Sequence, residues 1–263
     1  IDLKNIVLKN IEASDYKNKF DHLIIDEAQD ITTAENILIL SYLLKNDLDK
    51  SKLSLFGDYD WQSIYKFKDN PDEFINPLDE ILDPAQIKKQ YCSDISLIDL
   101  RINCRNSFGI TKQAELLGGM NPPYKKILRP NDNIIPSIKK FKDINDQFII
   151  IEDIIKSLKK QNYLDNEIII LSINSIKDSC IDLFANKKIN NKNNVIYSYD
   201  KFDYNKKGVI FCSSIRSFKG LESSAVIIVD VLEETMLQDD IKALLYTGIT
   251  RSIEKLFMLV KKA

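Results

Sequence analysis

The sequence predicts an α/β protein in which parallel sheets are flanked by helices. Short apolar runs alternate with segments whose apolar residues recur at helical spacing. Most of the short runs are apolar throughout, which is typical of parallel strands covered on both faces. The predicted strands are 23–25, 53–56, 97–100, 168–171, 209–212, 226–229 and 256–260. The predicted helices are 33–45, 107–117, 149–160 and 238–251.

Composition and charge are ordinary for a globular protein. Hydrophobic residues make up 44% of the chain and charged residues 29%, while Gly and Pro number only 7 each, which excludes collagen-like and long-linker classes. A net charge of -2 disfavours a dedicated nucleic-acid-binding module, although a motor with a narrow channel need not be basic overall. No apolar stretch is long enough to span a bilayer, and no secretory leader is recognisable. We therefore expect a cytoplasmic protein that does not contact membranes.

The cysteines and the single histidine do not form a pattern typical of a metal site. Cys92, Cys104, Cys180 and Cys212 contain no CxxC pair, and His22 has no cysteine or histidine near it in sequence. A zinc site is therefore not expected. Reduced thiols are the expected state, as in most cytosolic proteins.

A polar, proline-containing stretch at 69–84 predicts that the domain boundary lies between residues 69 and 94. We expect residues 1–90 to be the C-terminal part of a first domain and residues 95–263 to form a second. The Asn/Lys-rich run 186–194 is interpreted as a solvated loop.

The strongest local signal is the segment 23–30, where an apolar strand is followed by two adjacent carboxylates, Asp26 and Glu27. Ligands of open α/β sheets bind at the carboxyl ends of strands. Strand alternation would point the two side chains in different directions, so that one could hold Mg²⁺ while the other orients the water that attacks a γ-phosphate. A strand-end pair that caps the next helix explains this segment equally well on its own.

A second segment, 57–65, begins where the next predicted strand ends. Gly57 permits a sharp turn, and Gln62 could sense a terminal phosphate through a hydrogen bond. Trp61 and Tyr65 could stack on bases, which stabilises single-strand binding by about 1–3 kcal/mol per base. Taken alone, a polar turn with half-buried aromatic residues is the better explanation.

Three further segments carry candidate phosphate-binding and sugar-binding groups. Arg105 stands at a strand-to-helix junction, with Ser107 as a possible N-cap, and could bind a phosphate bidentately. Gly220 allows close backbone approach, and Glu222 could accept hydrogen bonds from a sugar hydroxyl. Arg251, at the end of a predicted helix, could stabilise charge on a transferring phosphoryl group. Taken singly, a surface salt bridge or helix-surface polarity explains each of these segments better.

Together and in this order, the five segments resemble motifs II to VI of the UvrD/Rep-like superfamily 1 helicases. The matching pieces are DEAQD, GD followed by QSIY, NCRNS, FKGLE and LYTGITR, and they span residues 20–260. The resemblance implies two RecA-like domains of the P-loop NTPase fold, with ATP hydrolysed between them. It also implies single-stranded or partly duplex DNA as the partner. A helicase-like scaffold without catalysis is the alternative, but the joint presence of Asp26, Glu27, Arg105 and Arg251 favours an enzyme.

The resemblance also implies roles for individual residues. Asp26 would hold Mg²⁺, and Glu27 would be the catalytic base. The γ-phosphate would be contacted by Gln62, Arg105 and Arg251. The ribose would be bound by Glu222, next to Gly220. The residues expected at single-stranded DNA are Trp61 and Tyr65, which would stack, and Ser214 and Arg216, which would approach its backbone.

The sequence departs from the family pattern in three places. No GxxxxGK[ST] loop occurs in the chain, although this loop supplies the phosphate cradle and the lysine of the family. We expect it to lie upstream in the same protein, so that the chain alone has negligible ATPase activity. Three residues rather than the usual two separate Asp58 from Gln62, and Arg216 stands where the family usually has histidine.

Overall fold

The computed structural model describes residues 9–10, 20–64, 81–91, 94–131, 134–182, 196–198, 203 and 205–262. The chain divides after Leu100 into two compact units, which we call unit 1 (Ile1–Leu100) and unit 2 (Arg101–Ala263). Both units combine helices with parallel strand pairs, so the predicted α/β class is confirmed. That the units correspond to two RecA-like domains stays a prediction.

Unit 1 places two strand ends side by side. In chain order its elements are β1 (His22–Ile25), α1 (Ala34–Ser41), β2 (Lys52–Leu55) and α2 (Pro84–Gln90). β1 and β2 pair in parallel, so their carboxyl ends lie at the same edge. Ile25 and Ala28 are buried with Tyr59, which packs the segment after β1 against the loop after β2.

Unit 2 is built around a parallel sheet. In chain order, its elements are β3 (Ile102–Asn103), α3 (Phe108–Gly118), β4 (Lys126–Ile127), β5 (Ser137–Phe141), α4 (Ile144–Lys160), β6 (Ile168–Ser172), β7 (Ile196–Ser198), β8 (Val209–Ser214), β9 (Ser223–Leu232), α5 (Asp239–Thr250) and β10 (Ser252–Lys261). Six of the described strands form the sheet, in the order β5-β10-β9-β6-β8-β7. A separate two-stranded parallel pair is formed by β3 and β4.

The core of unit 2 follows from the apolar strands. All five residues of β6 are buried, as expected for a central strand with both faces covered. Helix α4 contributes one apolar face to the same core, from residues at helical spacing: Ile151, Ile154, Ile155 and Leu158. The helix begins earlier than predicted because Asp143 caps it, accepting hydrogen bonds from the backbone N–H groups of Asn145 and Asp146.

One strand of the sequence prediction is wrong. Residues 97–100 form no strand, and Leu97, Ile98 and Leu100 are exposed. The strand lies just beyond them, as β3. Ser107 does occupy the N-cap position of α3, but its buried hydroxyl makes no hydrogen bond there. The predicted loop 186–194 lies outside the described residues.

Across the described ranges, we find no helix that combines the length and the apolar character needed to cross a bilayer.

The described cysteines differ in exposure. Cys104 is exposed, whereas Cys180 and Cys212 are buried. Burial raises the pKa of both buried thiols, and the nearby carboxylate of Asp230 raises that of Cys180 further. Because the folded pKa lies above that of an unfolded thiol, about 8.5, both thiols contribute fully to stability below that pH. Their contribution falls as the pH rises above it.

Alkylation of the native protein at about pH 8 is therefore expected to modify Cys104 rapidly, and Cys180 and Cys212 only after unfolding. Peptide mass spectrometry of iodoacetamide-treated protein, with and without denaturant, measures the difference. Rapid native labelling of Cys212 would contradict its burial in the sheet.

Candidate functional site

Two carboxylates lie at the carboxyl end of β1. Asp26 is exposed, and one of its carboxylate oxygens accepts a hydrogen bond from the Glu27 backbone N–H at 2.9 Å. Glu27 does not continue the strand but adopts a left-handed conformation, with φ 51° and ψ 39°. Such a conformation is uncommon for a residue other than glycine, and strained residues of this kind cluster at active sites, ligand clamps and switch regions. Because β1 ends at Ile25, both carboxylates lie beyond the strand, and the prediction that strand alternation sets their directions is wrong.

Gln29 connects Glu27 to the loop after β2. Its side chain is fully buried, at 0% exposure. Its Nε2 donates a hydrogen bond to Glu27 Oε2 at 2.6 Å, and its Oε1 accepts one from the Asp58 backbone N–H at 3.0 Å. We did not identify Gln29 as a functional residue from the sequence, although it stands inside the DEAQD segment. The observation that distinguishes it is its burial between two loops.

Asp58 organises the loop after β2. Its carboxylate accepts hydrogen bonds from the Trp61 backbone N–H at 2.9 Å and from Gln62 Nε2 at 3.3 Å. Trp61 and Gln62 are both half-buried. Gln62 thus belongs to the same hydrogen-bonded group as Glu27, through Asp58 and Gln29. Tyr65 lies outside the described residues.

Unit 2 brings together candidate residues that are far apart in sequence. Arg105 Nε lies 3.0 Å from Glu222 Oε2, and both side chains are nearly half exposed. Gly220, in the same loop as Glu222, has φ +82°, and the space that a Cβ would occupy there is open to 4 Å. An ion pair this exposed contributes little to stability, so a charged ligand can replace either partner at small cost.

Arg251 directly follows α5 and is buried, with an exposed fraction of 2%. Its Nε donates to the Thr247 carbonyl at 3.1 Å, its Nη1 to the Leu221 carbonyl at 3.4 Å and its Nη2 to the Thr250 hydroxyl at 3.3 Å. The interpretation of this arginine as helix-surface polarity is therefore wrong. The guanidinium ties the end of α5 to the loop that carries Glu222.

The two candidate DNA-backbone residues lie at the end of β8. Ser214 is buried. Its hydroxyl donates a hydrogen bond to the Ser217 hydroxyl at 2.9 Å and accepts one from the Ser217 backbone N–H at 3.2 Å. Arg216 is half-buried in the turn that this contact shapes. Ser214 thus fixes the turn on which Arg216 stands.

The carboxylates of unit 1 suit a magnesium–nucleotide complex better than an independent metal site. In the described part of the chain, no group of three His, Cys, Asp or Glu side chains could hold a metal ion. Mg²⁺ retains several waters and commonly takes only one or two carboxylates together with substrate phosphates. The exposed carboxylate of Asp26 fits that pattern, provided that a nucleotide supplies the remaining oxygens.

Two family models match the chain. One describes the UvrD/REP helicase N-terminal domain and matches residues 3–81, and the other describes the UvrD-like helicase C-terminal domain and matches residues 209–259. The chain belongs to the UvrD/Rep-like helicases. The two UvrD/Rep-like matches include every candidate site residue except Arg105, which lies between them.

Solved helicase structures resemble this UvrD/Rep-like chain at low identity. The C-terminal domain of a possible DNA helicase from Lactobacillus plantarum WCFS1 is 18% identical, with a TM-score of 0.45, over 60% of this chain and 86% of that one. The PRRSV helicase is 11% identical, with a TM-score of 0.41, over 92% of this chain and 35% of that one. The arterivirus nonstructural protein 10 helicase in complex with DNA is also 11% identical, with a TM-score of 0.41, over 93% of this chain and 40% of that one.

The chain thus spans less than half of these viral helicases. No curated protein sequence matches it.

Proposed function

We propose that residues 1–263 form part of an ATP-dependent DNA helicase or single-strand DNA translocase. The observation that carries the proposal is the grouping of the candidate residues. In unit 1, Glu27 and Gln62 belong to one hydrogen-bonded group at neighbouring strand ends. In unit 2, Arg105 contacts Glu222. Arg251 donates a hydrogen bond to the carbonyl of Leu221, the residue just before Glu222. Membership in the UvrD/Rep-like helicases supports the reaction class.

In unit 1, Glu27 is the base that orients the attacking water. Gln29 donates a hydrogen bond to one of its carboxylate oxygens at 2.6 Å and so fixes the direction of the group. Asp26 would hold Mg²⁺, which would supply positive charge against the phosphates of the nucleotide. Gln62, held by Asp58, contacts the γ-phosphate.

In unit 2, Arg105 and Arg251 supply positive charge to the γ-phosphate. Guanidinium groups stay charged at every physiological pH and match phosphate oxygens in a bidentate geometry. Glu222 accepts hydrogen bonds from the ribose. The open space beside Gly220 lets the ligand approach the backbone of this loop.

Single-stranded DNA is the second ligand. Trp61 and Tyr65 stack on bases, and Arg216 contacts the DNA backbone from the turn that Ser214 fixes. Trp61 is attached through its backbone N–H to Asp58, which also holds Gln62. Contact with DNA and contact with the γ-phosphate thereby depend on the same loop.

The phosphate-binding loop comes from a segment outside residues 1–263. The chain contains no GxxxxGK[ST] sequence, and this loop supplies the backbone N–H cradle and the lysine that hold the β- and γ-phosphates. Without it, Asp26 and Glu27 alone cannot retain ATP tightly. Residues 1–263 by themselves are therefore expected to bind ATP weakly.

ATP hydrolysis with and without single-stranded DNA tests this function. We expect negligible turnover by residues 1–263, and DNA-stimulated turnover by a longer polypeptide that includes a GxxxxGK[ST] segment. In the longer polypeptide, Glu27→Gln is expected to lower kcat by about 100-fold or more, because it removes the base, while DNA affinity is retained. Asp49→Asn, which changes an exposed carboxylate elsewhere in unit 1, serves as the control and should keep the wild-type kcat.

Two outcomes would contradict the proposal. DNA-stimulated turnover by residues 1–263 alone would show that no further phosphate loop is needed. The longer polypeptide could also bind DNA but hydrolyse no ATP, and behave identically with Glu27→Gln. That result would show that the protein is a non-catalytic helicase-like scaffold and not an enzyme.

A further inference from the structure

A buried asparagine connects the segment that carries Arg105 to the turn that carries Arg251. Asn106 is 2% exposed. Its Nδ2 donates one hydrogen bond to the Thr250 carbonyl at 3.0 Å and another to the Ser252 carbonyl at 2.6 Å. These carbonyls belong to the residues immediately before and after Arg251. One carboxamide therefore holds the backbone on both sides of the buried arginine.

A second asparagine extends this connection to Arg105. Asn103 is also buried, and its Nδ2 donates to Asn106 Oδ1 at 3.1 Å. Its Oδ1 accepts hydrogen bonds from the backbone N–H of Arg105 at 3.1 Å and from that of Asn106 at 3.0 Å. The backbone of Arg105 and the turn around Arg251 are thus joined by two side chains, across 144 to 146 residues of sequence.

We infer that Asn106 is a positioning residue for Arg105 and Arg251. Its side chain is buried and directed at backbone carbonyls and Asn103, so it acts through the arginines rather than on a ligand. A carboxamide suits this position because it donates two hydrogen bonds and accepts others, whereas a carboxylate is an acceptor only and a hydroxyl donates one. The inference rests on the proposed function, since that function assigns the two arginines to the γ-phosphate.

A purely structural role for Asn106 and a positioning role predict different results when Asn106 is replaced. Any buried amide with several hydrogen bonds stabilises the fold, and its loss lowers stability. A positioning role predicts in addition that kcat falls while the KM for ATP stays nearly constant, because the lost interaction matters in the transition state. It also predicts that Arg251 becomes easier to reach, because the backbone on both sides of it is released.

The test compares Asn106→Asp and Asn106→Ser with Asn166→Ala in the longer polypeptide. Asn166 is a buried asparagine of unit 2 in the segment before β6, so this variant matches the loss of a buried amide. For both Asn106 variants we expect kcat to fall by about 10- to 100-fold, as for a displaced catalytic group, with the KM for ATP within about twofold of wild type. Mass spectrometry should find Arg251 modified by phenylglyoxal faster than in the wild type. The control variant should change neither readout.

The outcomes separate this inference from the proposed function. If the wild-type polypeptide hydrolyses ATP and both Asn106 variants keep its kcat, the positioning role is overturned. If the wild type hydrolyses no ATP, the proposed function fails, and phenylglyoxal labelling of residues 1–263 still decides whether Asn106 holds the turn. Labelling of Arg251 at the wild-type rate in folded Asn106→Asp, with folding checked by circular dichroism, overturns the inference.

Discussion

Replacing Arg251 with alanine is expected to lower the free energy of unfolding by about 3 kcal/mol and to abolish ATP turnover. The side chain is 2% exposed and donates hydrogen bonds to the Thr247 and Leu221 carbonyls and to the Thr250 hydroxyl. Alanine removes these donors and leaves a cavity, and both losses are costly in a buried site. Denaturant unfolding and ATPase measurements, both on the longer polypeptide that includes a GxxxxGK[ST] segment, check the two parts.

Arg105→Ala is the matched comparison. Its side chain is nearly half exposed, and so is that of its partner Glu222. We expect the free energy of unfolding to change by less than about 1 kcal/mol, while ATP turnover is lost as in Arg251→Ala. Arg251→Met, which keeps most of the apolar stem, separates the cavity from the lost hydrogen bonds. An Arg251→Ala protein as stable as the wild type would contradict the burial of this arginine.

Gly57→Ala is expected to lower the free energy of unfolding by about 2 kcal/mol. A Cβ at this position would clash with Gln29 Oε1 and would lie 3.1 Å from the Gln29 backbone nitrogen and 3.2 Å from that of Ala28. The side chain of Gln29 has to move, and it then loses its hydrogen bonds to Glu27 and Asp58. We therefore also expect kcat of the longer polypeptide to fall, because Glu27 is no longer oriented.

A double-mutant cycle identifies Gln29 as the cause. In a Gln29→Ala background, Gly57→Ala should cost less stability than it does in the wild type, because the clashing side chain is gone. Asp60→Ala, on the same loop but exposed, should leave the free energy of unfolding nearly unchanged. Equal costs of Gly57→Ala in the two backgrounds would mean that the backbone contacts, and not Gln29, set the effect.

The central strands could be predicted from the sequence because the pattern that identifies them lies within each strand. In β6 and β9, continuous apolar runs correspond to strands buried on both faces. The run 97–100 is apolar at three of its four positions but lies exposed in a connecting segment. The edge strand β5 was missed because three of its five residues are exposed and its pairing with β10 is a long-range contact. A short window of sequence contains neither fact.

The candidate site was predictable in its charged residues but not in the contacts that hold them. Glu27 and Arg251 carry side chains whose chemistry is visible in a motif. The roles of Gln29 and Asn106 depend on partners brought near by the fold, and those of Asn106 are 144 and 146 residues away. The same applies to the burial of Arg251, since arginine side chains are mostly exposed in folded proteins. Hydrogen-bond partners and burial are tertiary properties, and they decide which polar residues support the site.

Glu27 carries a reactive side chain on a left-handed backbone conformation that is unfavourable for glutamate. Holding a residue other than glycine in this region costs about 1–3 kcal/mol, and asparagine tolerates it better than glutamate. An asparagine at this position would relieve part of that cost and would lack the carboxylate. If Glu27 is the base of the reaction, selection for a stable fold and selection for a fast enzyme act in opposite directions at this residue. Variants recovered for stability alone would then be expected to lose the carboxylate here.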